Sequence, residues 1–273
     1  MNLILRSLQL DWKMVQLPMP LYRKVEFILK KYLLLVKNYM LGYSITKSYV
    51  TLFGEKYYYD DKFGIAFLQS VFVDHYDLVK HIRPGGVVID VGANVGQFNF
   101  FSRHGLGATA VYSFEPIKET FDVLKLNAVT NIYNLGIASK DREQIFYMPE
   151  TSLMASSCKV GDFCNEVKVV CSRLDEIEEV INLESIQLVK IDTEGSELDV
   201  VKASLPILKR AEYVLIEASV ARESAGDLVE LTCYLRDFLP ELKMIWIGRH
   251  FDDDNGTTVA VDCLFRNFEV KHH

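Results

Sequence analysis

The segment VVIDVGANVGQF at residues 87–98 constrains this chain more than any other stretch. Its first five residues read as a buried strand, and a helix is predicted from Gln97 to about His104. Between them, Gly92 and Gly96 with Asn94 in the middle form a loop whose backbone can approach a ligand closely, facing the positive end of the helix. A strand that turns in this way belongs in an open, mostly parallel sheet. Ligands there sit at the carboxyl ends of the strands, near the point where strand order reverses.

The sequence around this loop supports such a sheet. From about residue 78 onward, strand-like and helix-like segments alternate, the pattern of a parallel sheet covered on both faces. Strands are expected at 87–91, 110–114, 132–137, 187–191 and 213–217, with short β candidates at 145–147 and 167–170 around a loop at 151–165. Helices are expected at 118–127, 174–181, 197–203 and 226–238. The runs 244–251 and 257–265 break the alternation. They are joined through Asn255-Gly256, a pair suited to a tight hairpin turn, so an antiparallel hairpin should close the sheet. The acids Asp252, Asp253 and Asp254 lack the spaced ligands of a calcium loop.

Composition narrows the class. A chain of 273 residues that is 49% hydrophobic can build a substantial core, and a net charge of −7 gives no basic field to draw it onto nucleic acid. The charge is divided, however, with residues 1–50 carrying +6 and the remainder −13. Five cysteines without a CxxC pair fit a reducing cytoplasm better than a disulfide framework or a zinc site. No segment has the length of a membrane span, and the apolar run at the start is too short for a signal-peptide core.

Residues 1–60 are expected to be an extension to a main domain at 61–273. In it, Leu21, Val25, Ile28, Leu29, Tyr32, Val36 and Tyr39 recur at helical spacing, while Arg23, Lys30 and Lys37 fall on another face. This amphipathic stripe is expected to pack on the main domain or on a second copy of the chain. Peripheral contact of the basic helix with an anionic membrane is the alternative. A short hairpin is predicted where 49–53 and 56–59 flank Gly54-Glu55.

A second signal lies at Glu115, which follows the strand AVYSF and stands 23 residues after Gly92. An acid at the end of a second strand can accept both hydroxyls of a ribose, so loop and acid together point to a nucleoside cofactor. A dinucleotide fingerprint would need G-x-G-x-x-G, yet these glycines are four apart with Asn94 between. Asp90 also suits a ligand with a cationic amine and sulfonium, whereas it would repel a pyrophosphate.

These residues resemble the FkbM-type S-adenosylmethionine-dependent methyltransferases over roughly residues 70–266. The likeness rests on VVIDVGANVGQF, SFEP at 113–116, Leu126-Asn127, SRLD at 172–175 and above all VKIDTEGSE at 189–197. It implies a Rossmann-like, seven-stranded α/β sheet with helices on both faces. It also implies that Asp90, Gly92, Asn94, Gly96 and Gln97 hold the methionine part of the cofactor, and that Glu115 grips the ribose. Ile137 and Ala138 would lie beside adenine with Asp141 near the base. Asp192 and Glu194 would face the sulfonium and the acceptor.

Methyl transfer from a sulfonium is an in-line displacement, so the enzyme mainly positions the acceptor oxygen and removes its proton. Asp192 and Glu194 are the first candidates for that base, with His104 and His250 behind them. Glu194 and Glu197 would alternatively favour the start of a helix, and Lys190 is read as structural. No metal is required, although Asp192, Glu194 and Glu217 at adjacent strand ends have the chemistry to hold one. The expected activity is O-methylation of a sugar, glycan or other small metabolite. An NAD-linked oxidoreductase or epimerase and a non-enzymatic, membrane-docked nucleoside-binding scaffold are the competing readings.

Overall fold

The computed structural model describes residues 3–41, 48–59, 64–128, 130–140, 142–149, 164–220, 227–252 and 256–270. The chain opens with helices α1 (Leu3–Gln16) and α2 (Leu21–Leu41), strands β1 (Ser48–Leu52) and β2 (Glu55–Tyr59), and helix α3 (Gly64–His75). The sheet region follows with β3 (Val87–Val91), α4 (Gln97–His104), β4 (Ala110–Phe114), α5 (Lys118–Asn127), β5 (Ile132–Tyr133) and β6 (Gly136–Ile137). Next come β7 (Glu143–Pro149), β8 (Cys164–Ser172), α6 (Glu178–Ile181), β9 (Ile186–Ile191), α7 (Glu197–Leu208) and β10 (Ala211–Ser219). Helix α8 (Leu228–Phe238) and strands β11 (Leu242–Asp252) and β12 (Thr258–Asn267) complete the order.

Seven strands form the main sheet in the order β11-β12-β10-β9-β3-β4-β5. Strands β10, β9, β3, β4 and β5 are mutually parallel, and β12 runs antiparallel between β10 and β11. The chain moves outward from β3 to β4 and β5, then returns to the other side of β3 for β9 and β10. The crevice at the carboxyl ends of β3 and β9 is therefore the switch point at which ligands bind in such sheets.

Alternation along the strands separates two cores. Val88, Leu188, Leu215 and Leu264 face a cluster that includes Phe72, Phe100 and Phe101, whereas Ile89, Val189, Val214 and Cys263 face Val200, Val201, Leu231 and Leu235 on α7 and α8. Met14, Phe27, Leu52 and Tyr57 belong to the first cluster, so the extension and one face of the sheet share a single core. The same two-residue period puts Asp90, Lys190, Glu217 and Asp262 on that first face, at the ends of its apolar rows.

The structure revises several sequence expectations. Helices at α1 and α3 were not foreseen. The third strand divides: Asn134 donates to the carbonyls of Glu115 and Pro116 at 2.9 and 2.8 Å, ending β5, and β6 pairs with β8 in a separate three-stranded sheet. The segment 174–181 breaks into a 3-10 turn and α6. The first hairpin turns at Phe53-Gly54, both with positive φ, one residue earlier than expected. The turn at 253–255 lies outside the described residues.

The amphipathic stripe of α2 faces the other way. Leu21, Val25, Leu29, Tyr32 and Val36 are exposed, while Phe27, Lys31 and Leu34 are buried. The reason lies in charge pairing, because Lys31 reaches across to Asp11 and to the Ser7 hydroxyl at 3.0 Å, and Gln69 of α3 donates to the same aspartate at 2.9 Å. Such a network satisfies a buried cation and fixes which face turns inward.

Candidate active site

At the end of β3 the backbone does most of the building. Gly92 has φ +78°, and a Cβ placed on it would lie 1.8 Å from the Asp192 carbonyl oxygen, so no other residue fits between these two strand ends. The amides of Gly92 and Ala93 both donate to Phe114 O, at 3.1 and 3.0 Å. Asn94 takes a left-handed conformation (φ +50°), its side-chain oxygen accepts the Val95 amide at 2.7 Å, and Gly96 (φ +93°) caps α4. Gln97 follows, half-buried, as the first residue of α4.

Glu115 is held in place by this loop. The Asn94 amide donates to one of its oxygens at 3.0 Å and the Ile117 amide to the other at 2.9 Å. The side chain is buried, which pushes its carboxyl up to about 7 against the pull of those amides. Each oxygen keeps a lone pair for a further donor. Ile137 and Ala138, at and just after the end of β6, are buried, and the next residue, Ser139, is fixed through its amide and hydroxyl by Asp199 of α7. Asp141 lies outside the described residues.

Across the switch point the material changes to buried charge. Lys190 stands between two carboxylates, 3.2 Å from Asp90 Oδ1 and 3.2 Å from Asp192 Oδ2, and donates to Gly92 O at 3.0 Å. Asp90 is fully buried, and beyond that ion pair neither of its oxygens accepts a hydrogen bond among the described residues. Burial pushes Asp90 up against the pull of Lys190. Lys190 is itself raised, because Asp192 and Asp90 outweigh the cost of its burial. Next along the row, Glu217 stands opposite Asp262, and His75 of α3 lies 3.5 Å from Asp262 Oδ2. Burial together with Asp192, Glu194 and Asp262 pushes the Glu217 carboxyl up to about 10, whereas burial lowers His75.

Oxygen atoms of Asp192, Glu194 and Glu217 lie within 4.8 Å of one another. Three carboxyl groups this close can share protons or hold a cation. The loop between β9 and α7 assigns different work to its two glutamates. Glu197 accepts the amides of Thr193 and Gly195 at 3.2 and 2.8 Å and so closes the turn, whereas Glu194, at φ +53°, occupies a strained conformation at the strand end.

Of the sequence-derived candidates, Asp192 and Glu194 meet at one site, and Asp90, Gly92, Asn94, Gly96, Gln97 and Glu115 surround the adjoining loop. His104 does not join them. It sits at the far end of α4, with its ring 4.3 Å from Phe100 and 5.2 Å from Phe53. The His250 side chain lies outside the described residues. Lys190 pairs structurally, as the sequence suggests, with Asp90 and Asp192 as its partners, whereas His75 and Asp262 were not among the sequence-derived candidates. A lysine inside the buried run QLVKI was the available signal, because it demands carboxylate partners on neighbouring strands. Asn127 was noted only as part of a motif, yet its side chain donates to Val95 O and Tyr58 O at 2.6 and 2.8 Å and accepts the Tyr58 amide at 2.6 Å, joining the β1–β2 hairpin to the loop after β3.

A methyltransferase FkbM domain matches residues 90–243. The chain is 26% identical over 168 residues to methyltransferase 1 of Beauveria bassiana, covering 52% of this chain and 68% of that protein. It is 26% identical over 193 residues to the 31-O-demethyl-FK506 methyltransferase FkbM of Streptomyces tacrolimicus, covering 57% and 72%. To the hexuronic acid methyltransferase AglP of Haloferax volcanii it is 27% identical over 148 residues, covering 51% and 59%.

Proposed function

Because the chain belongs to the FkbM methyltransferase family, we propose that this methyltransferase takes its methyl group from S-adenosylmethionine and delivers it to a hydroxyl oxygen of a sugar, glycan or other small metabolite. One observation carries the reading: a loop pinned around a buried carboxylate, Glu115, adjoins a cluster of three further carboxyl groups across the switch point of the sheet. The relatives lend support, since one is named for a 31-O position and another for a hexuronic acid.

The residues present fit the donor. Glu115 retains acceptor capacity for two ribose hydroxyls, and Asp90 offers a buried negative charge with unused acceptor positions to an ammonium group. Ile137 and Ala138 supply an apolar wall for adenine. When bound, S-adenosylmethionine supplies a methyl carbon activated by a sulfonium.

The chain's part in the reaction is positional and acid–base. Lys190 fixes Asp192 at 3.2 Å and the Gly92 carbonyl at 3.0 Å, so loop and acid keep a constant spacing. The acceptor hydroxyl must lose its proton as oxygen bonds to carbon. Asp192 is already engaged by Lys190, so Glu194 is assigned that proton. Glu217, protonated at neutral pH, can donate a hydrogen bond to the acceptor. The resulting picture is a half-buried acidic wall facing a backbone-built cofactor loop.

Calorimetric titration with S-adenosylhomocysteine and with NAD, followed by transfer of labelled methyl groups into saccharide extracts, tests the proposal. Binding of S-adenosylhomocysteine and label in the saccharide fraction are expected. Tight binding of NAD with no response to S-adenosylhomocysteine would overturn the cofactor assignment, and label found only in protein or nucleic acid would overturn the acceptor class.

A further inference from the structure

The helices α1 and α2 form an antiparallel hairpin, since Lys24 reaches Val15 O at 2.6 Å while Lys31 and Tyr32 reach back to Asp11 near the middle of α1. Their inner faces are built as a soluble protein requires, with Met14, Phe27 and Leu34 in the core. The outer faces are not. Half of the exposed large apolar side chains among the described residues fall on these two helices. Leu8 and Trp12 lie along one outward stripe, and Leu21, Val25, Leu29 and Val36 along the other; Trp12 is 69% and Leu21 71% exposed. Scattered exposed leucines are ordinary, but two whole stripes mark a contact surface.

Charge selects the occupant. Residues 1–50 carry +6 against −13 on the remaining chain. Lys31 is buried against Asp11 and Arg23 turns inward to His104 O and the Phe53 ring, which leaves Lys13 exposed and Lys24 and Lys30 half-buried as the described bases of the hairpin's outer side. The two acids of this segment are both engaged internally: Asp11 pairs with Lys31, and Glu26 accepts the Phe53 amide at 3.1 Å. An anionic surface would therefore attract this face and repel the rest of the molecule. A symmetric contact between two copies would set one positive face against another, at a cost in repulsion. No helix among the described residues is long and apolar enough to cross a membrane, so the hairpin has the character of an element that lies in an interface.

We infer that the outer face of the α1–α2 hairpin docks on an anionic phospholipid surface, with Trp12 and the apolar stripes entering the headgroup boundary and the basic residues meeting lipid phosphate. The inference does not depend on which acceptor is methylated.

The test is sedimentation of the full chain with vesicles of phosphatidylcholine, with and without phosphatidylserine, at low and high salt. Selective sedimentation with the anionic vesicles is expected, weakening as salt rises. The double variant W12E/L29E should lower vesicle partitioning at least about tenfold while leaving the thermal unfolding midpoint and S-adenosylhomocysteine binding unchanged. Absence of sedimentation in low salt, or equal binding to neutral and anionic vesicles, would overturn the proposal. So would a dimer in analytical ultracentrifugation that W12E/L29E dissociates while vesicles capture nothing, which would make this face a self-interface.

Discussion

The two halves of the sheet that meet at the switch point are made of different material. On the β3–β4 side, backbone amides and left-handed turns surround one carboxylate, Glu115, and the geometry is fixed by residues close together in the chain. On the β9–β10–β12 side, Lys190, Asp192, Glu217 and Asp262 come from three strands, joined by a histidine from α3, and the geometry depends on the balance of buried charges. The first half can be rigid whether or not a ligand is present. The second can exchange protons, as removal of a proton from an acceptor requires.

That contrast is open to test, and the largest effect should come from its centre. Lys190→Met leaves Asp90 and Asp192 without their shared cation and should destabilise the fold by about 3–5 kcal/mol, measured by denaturant unfolding. An unchanged midpoint would mean that the acidic half does not rely on Lys190. Glu194→Gln should reduce turnover at least about a hundredfold with cofactor affinity intact; full activity would move the base to Asp192. Glu115→Ala should weaken S-adenosylhomocysteine binding by about 1–3 kcal/mol in calorimetry, and an unchanged affinity would remove Glu115 from the ribose site.

The most gradual effect concerns pH. Glu217 is raised from 4.5 to about 10 in the folded protein, so its contribution to stability is fully present below 4.5 and is lost as pH rises toward 10. Over that window, stability should decline by at most about 1.4 kcal/mol per pH unit for the one proton. Glu217→Gln should flatten the decline, and an identical pH profile in variant and parent would show that Glu217 ionises freely.

The same contrast explains what was legible in the sequence. The β3 strand, its glycine loop, helices α4 and α5 and the acid at 115 were readable because turn chemistry and periodicity act over a few residues. Lys190 reads as a structural residue, but its pairing with Asp90 was not legible, because the two stand a hundred residues apart and meet through sheet pairing. The break after Tyr133 was hidden in a run that looks like continuous strand, since it depends on Asn134 bonding back to Glu115 and Pro116. For α2 the apolar stripe lies where periodicity puts it, but it turns outward instead of packing on the main domain. Periodicity finds a face, whereas a buried Lys31 with its partner Asp11 decides where that face points.

The three side-chain hydrogen bonds of Asn127 bear on the order in which the molecule assembles. Tyr58 leaves the ribosome well before Asn127, a separation of 69 residues, and the β1–β2 hairpin lacks this bridge until helix α5 has been made. The loop after β3 in turn gains its Val95 anchor only when that same side chain arrives. Closing such long-range contacts is slow and exposes apolar surface in the meantime. Folding of the loop and seating of the first 59 residues should therefore share one late kinetic step.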